Sequence, residues 1–177
     1  TFAIDGVQYV SILTGTGGGD LFNGAPLPPF PNPASLDYNN YGRLLVFKLG
    51  GRVELEIPKA RDMAIPEQEV VSLSDPEIAR GEIVFHDFCA NCHGMAVRSG
   101  GTIPDLRRMT PEMHAMFNAV VLEGTLAPKG MASFSDVLTE EDAVLVHDYI
   151  RARAHQDREV ALGNQEQPRF TWLDSVE

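Results

Sequence analysis

Cysteine is almost absent: the chain has two in 177 residues. That excludes a disulfide framework of the kind that holds small secreted domains together. One bridge is the most two cysteines allow, and at this spacing it closes only a very short loop. Positive charge is scarce as well. Fourteen Lys and Arg face twenty-five Asp and Glu, for a net charge of −11. A nucleic-acid backbone needs a basic stripe, which this composition does not offer, and an acidic surface repels anionic lipid headgroups. No apolar run approaches the length of a bilayer span. The opening TFAIDGVQYVSIL lacks the basic leader and long apolar core of a secretory signal. It reads as a strand that begins abruptly, as in a processed product or a piece of a longer protein.

What remains is a soluble globular composition, 44% hydrophobic and 22% charged. The length suits one domain with a large extension, or two small domains. Charge is unevenly spread. Residues 1–66 carry a net −1 and residues 67–177 a net −10, which places a boundary near residue 66.

The first part reads as strands. Two short strand-like runs flank Asp5-Gly6, a hairpin-turn pair. Val10 and Ile12 alternate with Tyr9, Ser11 and Leu13, so neither face is strongly polar, as in a strand covered on both sides. The glycine run TGTGGG and the proline-rich PLPPFPNP resist regular structure. A further strand is expected in GRLLVFKLGG and a shorter one in VELEIP. These are too few strands to close a barrel, a sandwich or a propeller, and left alone they expose edges that proteins normally cover. The expectation is a sheet whose other strands lie elsewhere.

The second part reads as helices. SDPEIARGEIVFHDF offers Ser74 or Asp75 as cap, Pro76 in the first turn, and Ile78, Gly81, Phe85 and Phe88 on one face. TPEMHAMFNAVVLEG predicts one helix with Thr110 as cap, Pro111 in the first turn and Gly124 as stop. TEEDAVLVHDYIRARA predicts another, with Thr139 and Asp142 in a capping-box arrangement and Val146, Tyr149 and Ile150 as its apolar stripe. The last twenty or so residues show no clear period.

The two cysteines sit in FCANCHG. Cys89 and Cys92 are three apart and His93 follows directly, the CxxCH spacing of c-type haem attachment. Two thiols at this separation reach the two vinyl groups on one porphyrin edge, and the next residue sets an imidazole beneath the iron. Zinc would need a fourth ligand and usually more cysteines. A redox dithiol would need a strand–helix setting, whereas this motif ends a helix. A second axial ligand is expected downstream, and Met131 in PKGMASF, 38 residues past His93, is the candidate: a loop thioether suited to a higher-potential electron-transfer iron. Met109 is its chief rival. Met95 is too close in sequence to reach the opposite haem face, Met113 and Met116 suit core packing, and Met63 lies far out. Pro104 could offer its carbonyl to the other ring nitrogen of His93. Arg107 and Arg108 could pair with haem propionates, the alternative being a solvated surface pair.

Taken together, the Gly81/Phe85 helix face, CANCH, Pro104, Met131 and the Val146/Tyr149/Ile150 helix resemble a class I cytochrome c over residues 74–155. The resemblance implies that the first and last helices cross beside the haem, with Gly81 against Tyr149. The spacing CANCHG…SGGTIPDLRR…VVLEG…KGMASF is similar to the C-terminal cytochrome domain of quinohaemoprotein alcohol dehydrogenases. IDGVQYVSILTGTGGG and NNYGRLLVFKLGG resemble the closing strands of their eight-bladed propeller, which carries pyrroloquinoline quinone (PQQ). This implies a mainly α cytochrome c domain preceded by β-strands that complete the last part of a PQQ-type propeller. The expected divisions are propeller strands at 1–57, a linker at 58–73, the cytochrome domain at 74–155 and a tail at 156–177.

The resemblance further implies haem c in this chain, with PQQ and a calcium-type metal ion in a partner propeller. It implies electron flow from the quinone to His93's iron, then to a periplasmic copper protein, another cytochrome or the quinone pool. Haem attachment of this type implies the periplasm. The propeller's catalytic Asp and calcium ligands are not in this sequence. Where the family often has a GWGG turn near the quinone, this chain has Gly15-Thr16-Gly17-Gly18, so Thr16 and Gly17 are the candidate quinone neighbours. A free-standing cytochrome carrier is the alternative, and orphan strands speak against it.

Overall fold

In the computed structural model, residues 1–14, 42–56, 59–69, 71, 74, 76–99 and 103–166 are described. The N-terminal part is a three-stranded antiparallel sheet in the order β1-β2-β3, with β1 at Phe2–Ile4, β2 at Val7–Thr14 and β3 at Arg43–Lys48. The β1–β2 turn falls on Asp5-Gly6, at φ 50° and 77°. Both residues occupy the left-handed region that a type I′ hairpin requires, which is why Asp-Gly stands there. Val10 pairs with Phe47, Ile12 with Leu45, and Leu13 with Leu44.

The expected strand in VELEIP does not form over Val53–Glu56. Its alternation is strand-like, but Val53 and Leu55 stay exposed, and the contact made there is a side-chain one, from the Arg43 guanidinium to the Glu56 carbonyl at 3.3 Å. The expected cover does not come from the described residues of this chain. Val10, Ile12 and Phe47 on one face and Leu13, Leu44 and Val46 on the other are all at least 41% exposed.

Residues 76–161 form a helical domain. Helix α1 spans Pro76–Phe88 and α2 spans Ala90–His93. A single helix was expected after Thr110. The structure has two, α3 at Pro111–Ala115 and α4 at Phe117–Val121, broken at Met116, whose ψ of 3° leaves the α region. Thr110 caps α3 by accepting from the Met113 N–H, as the sequence implied. Helix α5 spans Glu140–Ala161. At its start Thr139 Oγ1 accepts from the Asp142 N–H while Asp142 accepts from the Thr139 N–H, a complete capping box. It runs seven residues past Ala154, where the predicted segment ends, and this added stretch includes the buried Asp157.

Helices α1 and α5 make the principal contact of the domain. Ile78, Phe85, Val97, Val146, Tyr149 and Ile150 form its centre. Gly81 permits the crossing: a Cβ there would lie 2.1 Å from the Leu145 carbonyl oxygen and 3.2 Å from Tyr149 Cβ. Phe85 and Tyr149 meet at 5.5 Å between ring centroids. Phe88, expected on the buried face, is 38% exposed and instead meets Phe134 edge-on at 6.5 Å.

Candidate haem site

The CxxCH segment is set by the end of α1 and the single turn of α2. The Cys89 N–H donates to Phe85 O at 2.8 Å, and the His93 N–H returns to Cys89 O at 2.9 Å. Both thiols are free, Cys89 half-buried and Cys92 exposed. Burial, and secondarily Cys92, pushes the Cys89 thiol up to about 12. Zinc would need further ligands beside the two thiols, and no group of three or more His, Cys, Asp or Glu that could hold a metal ion is found among the described residues.

His93 is buried, and its Nδ1–H donates to the Pro104 carbonyl at 3.0 Å. That bond fixes the tautomer and leaves Nε2 as the nitrogen for a metal. Burial lowers the imidazole below its ordinary value, against the pull of the Pro104 bond and the Asp105 charge. A neutral imidazole is the form that ligates.

Between α2 and the next loop the backbone is strained. Ala96 and Val97 stand at φ 51° and 65°, a conformation that costs on the order of 1–3 kcal/mol each and is unusual for a β-branched residue. Val97 is fully buried, and the Ala96 N–H donates to His86 Nε2 at 3.2 Å. His86 Nδ1–H in turn donates to Glu82 O at 2.8 Å. His86, unassigned from the sequence, thus ties the loop after the motif back to α1.

Met131 follows Gly130, which has φ 95°. It is half-buried and packs on the same core as Cys89, with Leu106, Met113, Leu122 and Phe134. Of its rivals, Met109 is 8% exposed and belongs to the core itself. Met95 and Met116 are exposed, and the Met63 sulfur accepts from Arg108 at 3.7 Å. Two thiols, one imidazole with a free Nε2 and one half-buried thioether, fringed by apolar side chains, form a donor set that fits a covalently attached haem.

The two arginines separate. Arg108 is half-buried on the rim of a cleft with Arg61, Met63 and Asp105. Arg107, expected at a propionate, has other partners: Nε and Nη2 donate to Asp105 at 3.0 and 2.6 Å, and Nη1 donates to Asp157 at 2.7 Å. Three of its five side-chain N–H donors are thus engaged inside the protein. Asp157 also accepts from Arg98 at 3.0 Å and Arg153 at 2.8 Å. Burial alone would raise its carboxyl, but Arg153, Arg107 and Arg98 outweigh that and hold it below the usual range. The sequence reading missed this cluster. Only the i,i+4 spacing of Arg153 and Asp157 hinted at it. Thr16 and Gly17 lie outside the described residues.

The chain is similar to known cytochrome-bearing proteins. Residues 76–150 match the family described as cytochrome c oxidase, cbb3-type, subunit III. The chain is 36% identical over 157 residues to the quinohemoprotein alcohol dehydrogenase ADH-IIG of Pseudomonas putida, covering 88% of this chain and 21% of that protein. It is 35% identical over 160 residues to ADH IIB of the same organism, covering 89% and 22%. The solved structure of ADHIIG from P. putida HK5 superposes with a TM-score of 0.71 at 35% identity, over 86% of this chain and 21% of that one. The chain thus spans about a fifth of the length of the curated relatives it matches.

Proposed function

The chain is homologous to the C-terminal cytochrome domains of the quinohaemoprotein alcohol dehydrogenases, and from that premise we propose that it carries electrons out of a PQQ-dependent dehydrogenase through a covalently bound haem c. The observation that carries this reading is His93: in a CxxCH segment, buried, with Nδ1 bound to Pro104 O at 3.0 Å and Nε2 left for iron. When bound, the haem supplies one-electron chemistry at a potential set by its axial ligands. The chain's own residues do the rest. Cys89 and Cys92 would tether the macrocycle, His93, oriented by Pro104, would ligate the iron, and Met131 would offer its sulfur to it. Arg108, which lines a cleft with Arg61 and Asp105, is the better-placed candidate for a propionate.

Strands β1–β3 in this reading finish the last part of an eight-bladed propeller whose other blades carry PQQ, a calcium-type ion and the substrate pocket. Apolar side chains exposed on both faces of the sheet support that. The alcohol-oxidising activity, the periplasmic location and an acceptor such as a copper protein, a cytochrome or the quinone pool belong to the same proposal. A free-standing carrier would have no use for a sheet apolar on both sides.

The test is spectroscopic. A pyridine haemochrome spectrum of the chain in complex with its propeller should show c-type haem, and addition of a primary alcohol should reduce it. Lack of c-type haem, or haem that stays oxidised with PQQ present, would overturn the reading. Met131→Ala should retain the haem while lowering its potential, so that the fraction reduced at a fixed ambient potential falls by ~10-fold or more. An unchanged potential would remove Met131 from the iron.

A further inference from the structure

The buried arginine–aspartate cluster has no part in the electron path described so far. It is costly to build: Arg107, Arg153 and Asp157 are each at most 9% exposed. Buried ion clusters of this kind seldom stabilise a fold better than apolar side chains of similar volume, so stability is a weak reason for one. Its geometry supplies a better reason. The segment that leaves the haem motif carries Arg98 early and Arg107 late, and both reach one carboxylate, Asp157, through different oxygens: Arg98 to Oδ1 at 3.0 Å and Arg107 to Oδ2 at 2.7 Å. Asp157 belongs to α5, where Arg153 one turn earlier also binds Oδ1 at 2.8 Å. Arg107 meanwhile grips Asp105 through Nε and Nη2, and its own backbone N–H donates to Asp105 Oδ1 at 3.1 Å. Asp105 is peptide-bonded to Pro104, whose carbonyl accepts from His93 Nδ1. An unbroken chain of short bonds therefore runs from α5 through Asp157, Arg107, Asp105 and Pro104 to the imidazole.

We infer that Asp157 is a positioning residue for the iron ligand: it clamps the 98–108 segment to α5 at both ends, and so holds the Pro104 carbonyl against the His93 ring N–H. This inference rests on the haem reading above. A strong bond at Nδ1 makes the imidazole a better donor and favours the oxidised iron. Releasing the clamp weakens that bond, and losing the Asp157 charge leaves the arginines less compensated. Both effects raise the haem potential.

The test compares Asp157→Asn, Arg98→Gln and Arg153→Gln in the haem-loaded full chain, reading the solvent exchange of the His93 ring N–H by NMR in the reduced state. Redox titration of Asp157→Asn is the second readout. Asp157→Asn is expected to speed the exchange by ~10-fold or more and to raise the potential by the equivalent of a several-fold change in the oxidised-to-reduced ratio, each tenfold being about 59 mV for one electron. Arg98→Gln, which removes one end of the clamp at a half-buried position, should speed exchange several-fold and keeps the test open if Asp157→Asn does not fold. Arg153 bonds Gln156 and Asp157, both on α5, so Arg153→Gln removes a charge there while Arg98 and Arg107 keep their bonds to Asp157, and should leave exchange within about twofold. Wild-type exchange in Arg98→Gln, or equal acceleration in Arg153→Gln, overturns the inference while the haem reading stands. A wild-type chain without c-type haem overturns both.

Discussion

At the scale of single residues, the motif was legible because its chemistry is local. Cys89, Cys92 and His93 are fixed by a five-residue spacing, and Pro104 lies close enough in sequence for its bond to His93 to be anticipated. The bond from Arg107 to Asp157 was not anticipated, for the opposite reason: the two lie 50 positions apart, and no local pattern announces a contact with so distant a carboxylate. A second long-range pair escaped notice too. His114 Nδ1 and His147 Nε2 lie 2.8 Å apart, and His147 stacks on Phe117 at 4.4 Å between centroids. Burial, then the charges of His114 and Arg151, push His147 down to about 4 from an ordinary 6.5. The unfolded chain therefore binds more protons than the folded one between those values. The stability from a neutral His147 is fully present above pH 6.5 and is lost as pH falls toward 4. Because the ring is far from fully buried, solvent screening reduces the effect to about 1–2 kcal/mol. Denaturation of the haem-loaded protein at pH 7 and pH 5 should show this loss, and His147→Gln should flatten it. An unaltered slope in the variant would assign the acid sensitivity to other groups.

At the scale of elements, helix starts were legible and helix extents were not. Pro76, Thr110 and the Thr139/Asp142 pair mark beginnings because capping is satisfied within a few residues. The break at Met116 and the run of α5 to Ala161 are decided by packing against other parts of the chain, which no single helix displays. Gly81 lies between these cases. Its place on the apolar face of α1 was readable, and the resemblance to cytochromes gave it a partner. The structure adds why only glycine fits: the atom that a side chain would strike is the Leu145 backbone oxygen, at 2.1 Å. A backbone carbonyl inside a 22-residue helix cannot swing aside as a side-chain tip can. Gly81→Ala should therefore force α1 and α5 apart at a cost of about 1–3 kcal/mol, toward the upper end. Phe85 and Tyr149 flank this crossing, so their packing should loosen with it. Thermal melts of the haem-loaded protein should record the drop in midpoint, and Ala at the exposed Ile83 on the same helix should not reproduce it. Equal melts for Gly81→Ala and the parent would show that the crossing is looser than it looks.

At the scale of the whole molecule, two parts with different surfaces are joined. The helical part closes its own core, with Phe85, Val97, Tyr149 and Ile150 at 0–1% exposure. The sheet does not: Leu13 is 81% and Leu44 61% exposed, and they are register partners on one face. A monomer seldom leaves such a surface bare, so contiguous apolar area of this kind marks a place of assembly. The alternation in TFAIDGVQYVSIL foretold this surface, since neither face of the strand reads as polar. What covers it is a matter for residues on other strands. The opposite face, with Val10, Ile12 and Phe47, is apolar too, which suits a strand set packed between neighbours on both sides, as in a propeller blade, rather than one edge docked on a partner. If the proposed propeller covers this face, replacing Leu13 and Leu44 together with serine should weaken association with it by tenfold or more, since two buried leucines contribute about 1.5–3 kcal/mol each. The haem spectrum and the potential should stay at their wild-type values, because the core around His93 is formed by other residues. Binding measured by sedimentation or surface capture would check the first expectation and a redox titration the second. Undiminished association would mean that the sheet face is not the joint between the two parts.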